Sequence, residues 1–157
     1  MATLPPRLII GLAWKAHRAL FRYSGGRLGL REATAEQEGL AQLATIGRKS
    51  GEKRVVMIAY YKDGDDFITL AMNGWDNADP AWWLNMQANS QAELITRQGR
   101  LSIAGREAEP GDEHDRLWDR WRKLDKSIDR FSHLRSNTPV VVLTPVDHGS
   151  QLSHFDH

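Results

Sequence analysis

The stretch RVVMIAYYKDGDDFITLAMN, Arg54 to Asn73, constrains the fold more than any other part of the chain. Two runs rich in β-branched and aromatic residues, about 54–61 and 66–72, flank Asp63-Gly64, a dipeptide suited to a tight hairpin turn. The first run is apolar almost throughout, as expected of a strand that is covered on both faces or lines a site. A second hairpin is predicted where AELITRQG and RLSIAGREAE alternate about Gln98-Gly99, with Leu94 and Thr96 against Leu101 and Ile103 as candidate cross-strand neighbours. PVVVLTP, residues 139–145, reads as a short buried strand bracketed by prolines.

Three helices are predicted around these strands. LPPRLIIGLAWKAHRALFRY, residues 4–23, opens on Pro5-Pro6 and sets Leu8, Leu12, Ala16 and Leu20 on one stripe, with Arg7, Lys15, Arg18 and Arg22 opposite. DPAWWLNMQANS carries Asp79 as an N-cap and Pro80 at the first helical position. PGDEHDRLWDRWRKLDKSIDRF reads as one helix with an apolar stripe of Leu117, Trp121, Leu124, Ile128 and Phe131. Strands joined mainly as hairpins, with no βαβ alternation, argue for an α+β, mainly β fold. The expected sheet is antiparallel and closes into a small barrel with helices at its rim. The corresponding organisation is an N-terminal amphipathic helix (1–26), a barrel domain (27–146) and a frayed tail (147–157).

The 157 residues suit one domain with a real core. No cysteine is present, which excludes disulfides, thiolate metal sites and cysteine nucleophiles and fits a cytoplasmic protein. No apolar run reaches the length of a spanning helix. The basic first helix suits either an anionic membrane surface or the domain's own core, and both readings stay open. The net charge of +1 hides an asymmetry: residues 1–60 carry 10 Lys/Arg against 4 Asp/Glu, and the remainder 11 against 16. The cationic half is therefore the one to meet an anion.

Within that half, LATIGRKSGEKR crowds Arg48, Lys49, Lys53 and Arg54 into a short Gly-bounded loop. A P-loop does not fit, because Gly47 is followed by Arg48 and the loop feeds a strand rather than a helix. Even so, flanking glycines expose backbone N–H groups, Ser50 adds a hydroxyl, and Arg48, Lys49 and Arg54 add charge. Such a loop holds a phosphate or several carboxylates, or is simply a solvated turn.

These pieces, taken in order, resemble the deazaflavin-dependent nitroreductase and quinone reductase family, whose members use reduced coenzyme F-420. The residues that carry the resemblance are FRYSGGRLG, LATIGRKSGEKR, the KDGD hairpin, AMNG, DPAWWLNMQANS and TPVVVLTP, over roughly residues 15–145. The T-x-GRKSG-x-x-R pattern followed by PAWWLN is the most specific combination. The resemblance implies a split β-barrel, as monomer or homodimer, that transfers hydride to a quinone-like, nitroaromatic or enone small-molecule acceptor. It also implies that Arg48, Lys49, Ser50, Gly51 and Arg54 grip the coenzyme's phosphodiester and glutamate tail. Met57, Ile58, Ala59, Met72, Asn73 and Gly74 would then meet the flat ring, with Trp82 or Trp83 as a wall. Nitro-reducing members carry tyrosines on the helix before the last strand, where this chain has Leu124, Ser127 and Arg130. Ser127, Arg130 and His133 are the polar candidates for orienting or protonating an acceptor.

Two alternatives are kept. The same barrel would take FMN, which has less need of a cationic loop, or it would hold a lipid or pigment without catalysis. Trp75 joins Trp82 and Trp83 as a candidate site lining, whereas Trp121 belongs to a core stripe. The tail's His148, His154 and His157 match no standard metal site, and no nucleic-acid motif accompanies the basic patch, so neither a metal nor a nucleic acid is expected.

Overall fold

A computed structural model of the chain describes residues 29–72, 78–134 and 137–146. The N-terminal helix, Asn73, Gly74 and Trp75, and the tail expected from the sequence lie outside the described residues.

Six strands form one closed antiparallel barrel in the order β1-β2-β3-β6-β5-β4. They are β1 (Gly39–Ile46), β2 (Lys53–Asp63), β3 (Asp66–Leu70), β4 (Gln91–Thr96), β5 (Gly99–Glu107) and β6 (Val140–Pro145). Both predicted hairpins are present, with Gly64 in the left-handed region at φ 60°. In the second hairpin Leu94 faces Leu101 as expected. Thr96 faces Gly99, however, and Ile103 faces Ala92, so the turn falls at Arg97-Gln98, one residue earlier than expected.

β1 was not foreseen. Its sequence, GLAQLATI, is built from residues that favour helices or loops, yet all eight residues pair with β2, and Gln42–Ala44 pair with β4. Tertiary pairing overrides weak local propensity here.

Alternation along the strands separates two cores. Ala41, Leu43, Ile58, Tyr60, Phe67, Leu94, Ile103, Val141 and Leu143 fill the barrel. Helix α1 (Ala81–Ala88) closes it by inserting Trp82, Trp83 and Met86. Pro80, in extended backbone at ψ 148°, is the N-cap in place of the expected Asp79, and the helix begins one residue later than expected.

The opposite faces of Tyr61, Ile68, Leu70, Val140 and Val142 pack against Leu117, Trp121 and Ile128. Burial on both faces explains why β6 and the second half of β2 are apolar without alternation. The Tyr61 hydroxyl donates to the Leu117 carbonyl at 2.8 Å, and burial raises its pKa.

The long final helix of the sequence reading is two helices, α2 (Asp112–Leu124) and α3 (Ser127–Phe131), followed by a 3-10 turn (Ser132–Leu134). Asp125 between them is extended, and its Oδ1 accepts from the Ser127 N–H at 2.9 Å and the Ser127 hydroxyl at 2.6 Å. That side-chain acceptor competes with helical bonding and breaks the run, while the apolar stripe continues across the break.

Two predictions follow from this packing. A Cβ on Gly39 would stand 2.5 Å from the Tyr60 ring and 2.8 Å from the Ala33 backbone N. Gly39→Ala should therefore destabilise the barrel by about 1–3 kcal/mol in a urea titration; an unchanged midpoint would show that the ring moves freely. Glu113 receives both Arg106 Nη atoms at 2.6 and 3.0 Å and the Glu109 N–H at 2.9 Å, which holds its pKa down to about 2. A depressed carboxylate stabilises the fold above its unfolded pKa and loses that contribution as pH falls from about 4.5 towards 2. Glu113→Gln should flatten the stability profile in that window by up to about 1 kcal/mol, discounted for solvent screening, and a profile parallel to wild type would refute the assignment.

Candidate functional site

The turn between β1 and β2 satisfies much of its own backbone. The Gly47 N–H donates to the Glu52 carbonyl and the Gly51 N–H to the Gly47 carbonyl, both at 2.8 Å, while the Glu52 N–H reaches the Ser50 hydroxyl at 3.1 Å. Gly51 sits at φ 71°, a conformation that favours glycine. At Gly47 any Cβ would meet Ser50 Oγ at 2.8 Å. Both glycines are thus needed to fold the turn tightly.

The four cations of this region differ in what neutralises them. Lys53 pairs with Glu93 at 3.3 Å, an acid that Arg100 also contacts at 3.2 Å. Arg54 pairs with Glu52 at 3.4 Å, with both side chains exposed. Arg48 and Lys49 are exposed and, among the described residues, neither meets a carboxylate. Ser50 uses its oxygen as an acceptor and keeps its proton to give. Among the described residues the loop therefore presents two cations without a carboxylate partner and a hydroxyl on a folded frame.

Asn85, which the sequence reading did not single out, supports that frame from below. It is buried on α1 and accepts at Oδ1 from the Arg48 N–H and from Arg48 Nη1, both at 3.1 Å. Its Nδ2 donates to Thr45 Oγ1 at 3.2 Å. Thr45 and Asn85 are the first and last residues of the two motif pieces on which the family resemblance mainly rests. The signal available in the sequence was a lone amide among Trp82, Trp83, Leu84 and Met86.

β2 leaves the loop and carries the next candidates. It pairs with β1 from Lys53 to Tyr60, but with β3 only from Tyr61 to Asp63. Among the described residues no strand pairs with the β3-side edge of β2 before Tyr61. One side-chain bond spans the gap, from Thr69 Oγ1 to the Ala59 carbonyl at 2.7 Å. Met57 and Ala59 share the outer face of this strand. Ala59 packs beside Met72 on the second core, whereas the side chain of Ile58 belongs to the barrel interior, so Ile58 has only its backbone to offer.

The outer face next to the loop is apolar and open. Val55 is 40% exposed and Ile46 44% exposed, and Ala44 pairs with Val55. Beyond them lies a groove of about 290 Å³ over β1, β4 and β5, walled by Ala44, Ile46 and Val146 with Lys53 and Glu93 at its edge. Flat apolar surface thus adjoins the cationic turn.

Trp82 and Trp83 do not form an open wall. They are 6% and 4% exposed and pack edge to face, 6.2 Å apart, in the barrel core. Ser127, a candidate for orienting an acceptor, donates from its N–H and its hydroxyl to Asp125 Oδ1. Arg130 and His133 are exposed near the end of the final helical segment, whose Phe131 and Leu134 pack on the same core as Ala59 and Met72. Among the described residues no group of three or more His, Asp or Glu could hold a metal ion, and no helix is long and apolar enough to cross a membrane.

Comparison with known proteins agrees with this arrangement. Residues 14–145 match the family described as F420H(2)-dependent quinone reductase. An F420H(2)-dependent quinone reductase of Mycobacterium tuberculosis is 31% identical over 135 residues, covering 83% of this chain and 88% of that protein. The solved structure of an F420-H2 dependent reductase (FDR-A) superimposes with a TM-score of 0.59 at 23% identity, over 66% of this chain and 91% of that one. A structure described as a domain-swapped dimer gives a TM-score of 0.62 at 21% identity, over 84% and 95%. Family match, relative and barrel together place this chain in the F420H(2)-dependent quinone reductase family of oxidoreductases.

Proposed function

We propose that this chain is a reductase that works with reduced coenzyme F-420 and passes hydride to a quinone-like small molecule. The observation that supports it most is the loop's charge: among the described residues Arg48 and Lys49 meet no carboxylate, on a turn whose backbone bonds fold it on itself. The residues present fit such a coenzyme. Arg48, Lys49, the Ser50 hydroxyl and the exchangeable Arg54–Glu52 pair suit a phosphodiester and glutamate carboxylates. The open edge of β2 offers backbone polar groups beside the outward faces of Met57 and Ala59, which suits a flat ring with polar edges. When bound, the reduced deazaflavin supplies the hydride.

The chain's own contribution is to bind, align and keep water away. The apolar surface of Ala44, Ile46 and Val55 favours burial of a planar partner over hydration. Arg130 and His133 are exposed on the helical segment whose Phe131 and Leu134 pack on the core shared by Ala59 and Met72, and they stay the candidates for meeting the oxygen of an acceptor as charge grows on it. No nucleophile or paired carboxylate is needed for this work, because alignment of donor and acceptor carries most of it. FMN has no support in the family's description or in the relatives' names. Nitroaromatics and enones share the electron-poor character of a quinone and belong in the same assay. The relative described as a domain-swapped dimer makes a dimer the oligomer to look for in solution.

Titration of purified protein with the deazaflavin, read by its fluorescence, tests the proposal, followed by turnover of a naphthoquinone with the reduced form. Saturable binding that weakens with salt and quinone-dependent oxidation are expected. Lys49→Ala should lower affinity by about tenfold, the scale of one charge-assisted hydrogen bond, and reduce the salt dependence. Arg54→Ala should cost less, because Glu52 already offsets that charge. Equal affinity in wild type and Lys49→Ala would move the anion elsewhere, and binding with no turnover of any acceptor would favour the non-catalytic lipid or pigment reading.

A further inference from the structure

We infer that Asn85 is the positioning residue of the coenzyme loop, and that its being an amide rather than an acid keeps the charge of Arg48 available to the ligand. This rests on the proposed function above for the identity of the anion.

Asn85 is 3% exposed in a helix otherwise packed with Trp82, Trp83 and Met86. A polar side chain buried in that way is retained only where its bonding is satisfied. Here Oδ1 takes two donors from one residue, Arg48 N and Nη1, and Nδ2 gives to Thr45. One side chain thus ties the end of β1, the first cation of the turn and the helix that closes the barrel, across 37 and 40 residues of sequence. The Arg48 guanidinium has five N–H donors and uses one of them on Asn85. It is held in one geometry with the rest of its planar fork exposed, which removes part of the ordering cost that a loose arginine meets on binding.

The charge of the support matters as much as its position. An aspartate at 85 would accept the same two donors and bind them more strongly, as charged acceptors do. It would also offset the guanidinium charge, leaving Lys49 as the loop cation that meets no carboxylate among the described residues. Lys53 and Arg54 show the contrast within the same sequence, since both sit against carboxylates. Arg48 is instead fixed by a neutral group, so order is gained without loss of charge.

Asn85→Asp is the discriminating substitution, since it preserves size and acceptors while adding charge. The variant loses the Nδ2 donation to Thr45 and gains a buried ion pair with Arg48, so it should stay folded, with its thermal midpoint measured beside its affinity. Its affinity for the oxidised deazaflavin with its glutamate tail should fall by about tenfold or more, the scale of one charge-assisted contact, with a shallower salt dependence. Affinity for a deazaflavin lacking the phosphate and tail should stay at the wild-type value, a contrast that a purely structural role would not produce. A folded Asn85→Asp protein that binds the tailed coenzyme like wild type overturns the inference. Should that variant fail to fold, Arg48→Gln answers the same question: a tenfold loss at an unchanged thermal midpoint supports the inference, and full affinity overturns it. Failure of wild type to bind the coenzyme at all would instead overturn the proposed function.

Discussion

Everything in this barrel depends on β1 being bonded along both edges. Gly39–Ile46 pairs with β2 over its whole length and with β4 at its centre, which closes the ring. Closure pairs most strand edges within the chain and leaves, among the described residues, the β3-side edge of β2 before Tyr61 without a strand partner. It also fixes where the sheet opens. Two ladders are only three residue pairs long, β1 with β4 and β2 with β3, and the second of them begins at Tyr61, so the β3-side edge of β2 is unpaired before it among the described residues. The cationic turn emerges at the end of β1 that Thr45 anchors, next to that edge.

Much of the architecture was legible because turn chemistry and two-residue periodicity act locally. Asp63-Gly64 marks its hairpin, and the prolines bracketing 139–145 mark β6. What was not legible depended on distant partners. β1 is a strand because β2 and β4 flank it, although Ala, Leu and Gln have little preference for that state. The division between α2 and α3 turns on one aspartate accepting from a serine two residues on, which periodicity alone passes over. The tryptophans mislead for a related reason: a small barrel needs large side chains to plug its open end, and Trp82 and Trp83 fill it before any ligand arrives.

The site divides in the same way. The sequence located the cations but not their state of compensation, because the acids that matter come from Glu93 on another strand and from Glu52 within the turn. Counting Arg48, Lys49, Lys53 and Arg54 as equivalent overstates the free charge. Strand alternation likewise separates Ile58, whose side chain packs in the barrel core, from Met57 and Ala59 on the other face of β2, where Met57 is itself buried and Ala59 packs on the second core. A strand presents alternate residues to opposite faces, so three consecutive residues never line one surface together.

A reaction carried mainly by alignment asks the protein for rigidity beside an opening, and β2 has both. Its second half is clamped on two faces, by Tyr60 and Phe67 within the barrel at 5.2 Å and by Tyr61 against Trp121 on the outside, also at 5.2 Å. Its first half keeps one edge unpaired among the described residues and leads back to the cationic turn. On the proposed function, a ligand held at the turn would meet a strand that cannot shift sideways, because moving it would disturb both cores. Small errors in placement are costly in such reactions. On that reading few polar side chains would be needed along β2, because its backbone is already in position and the charged loop would supply the grip.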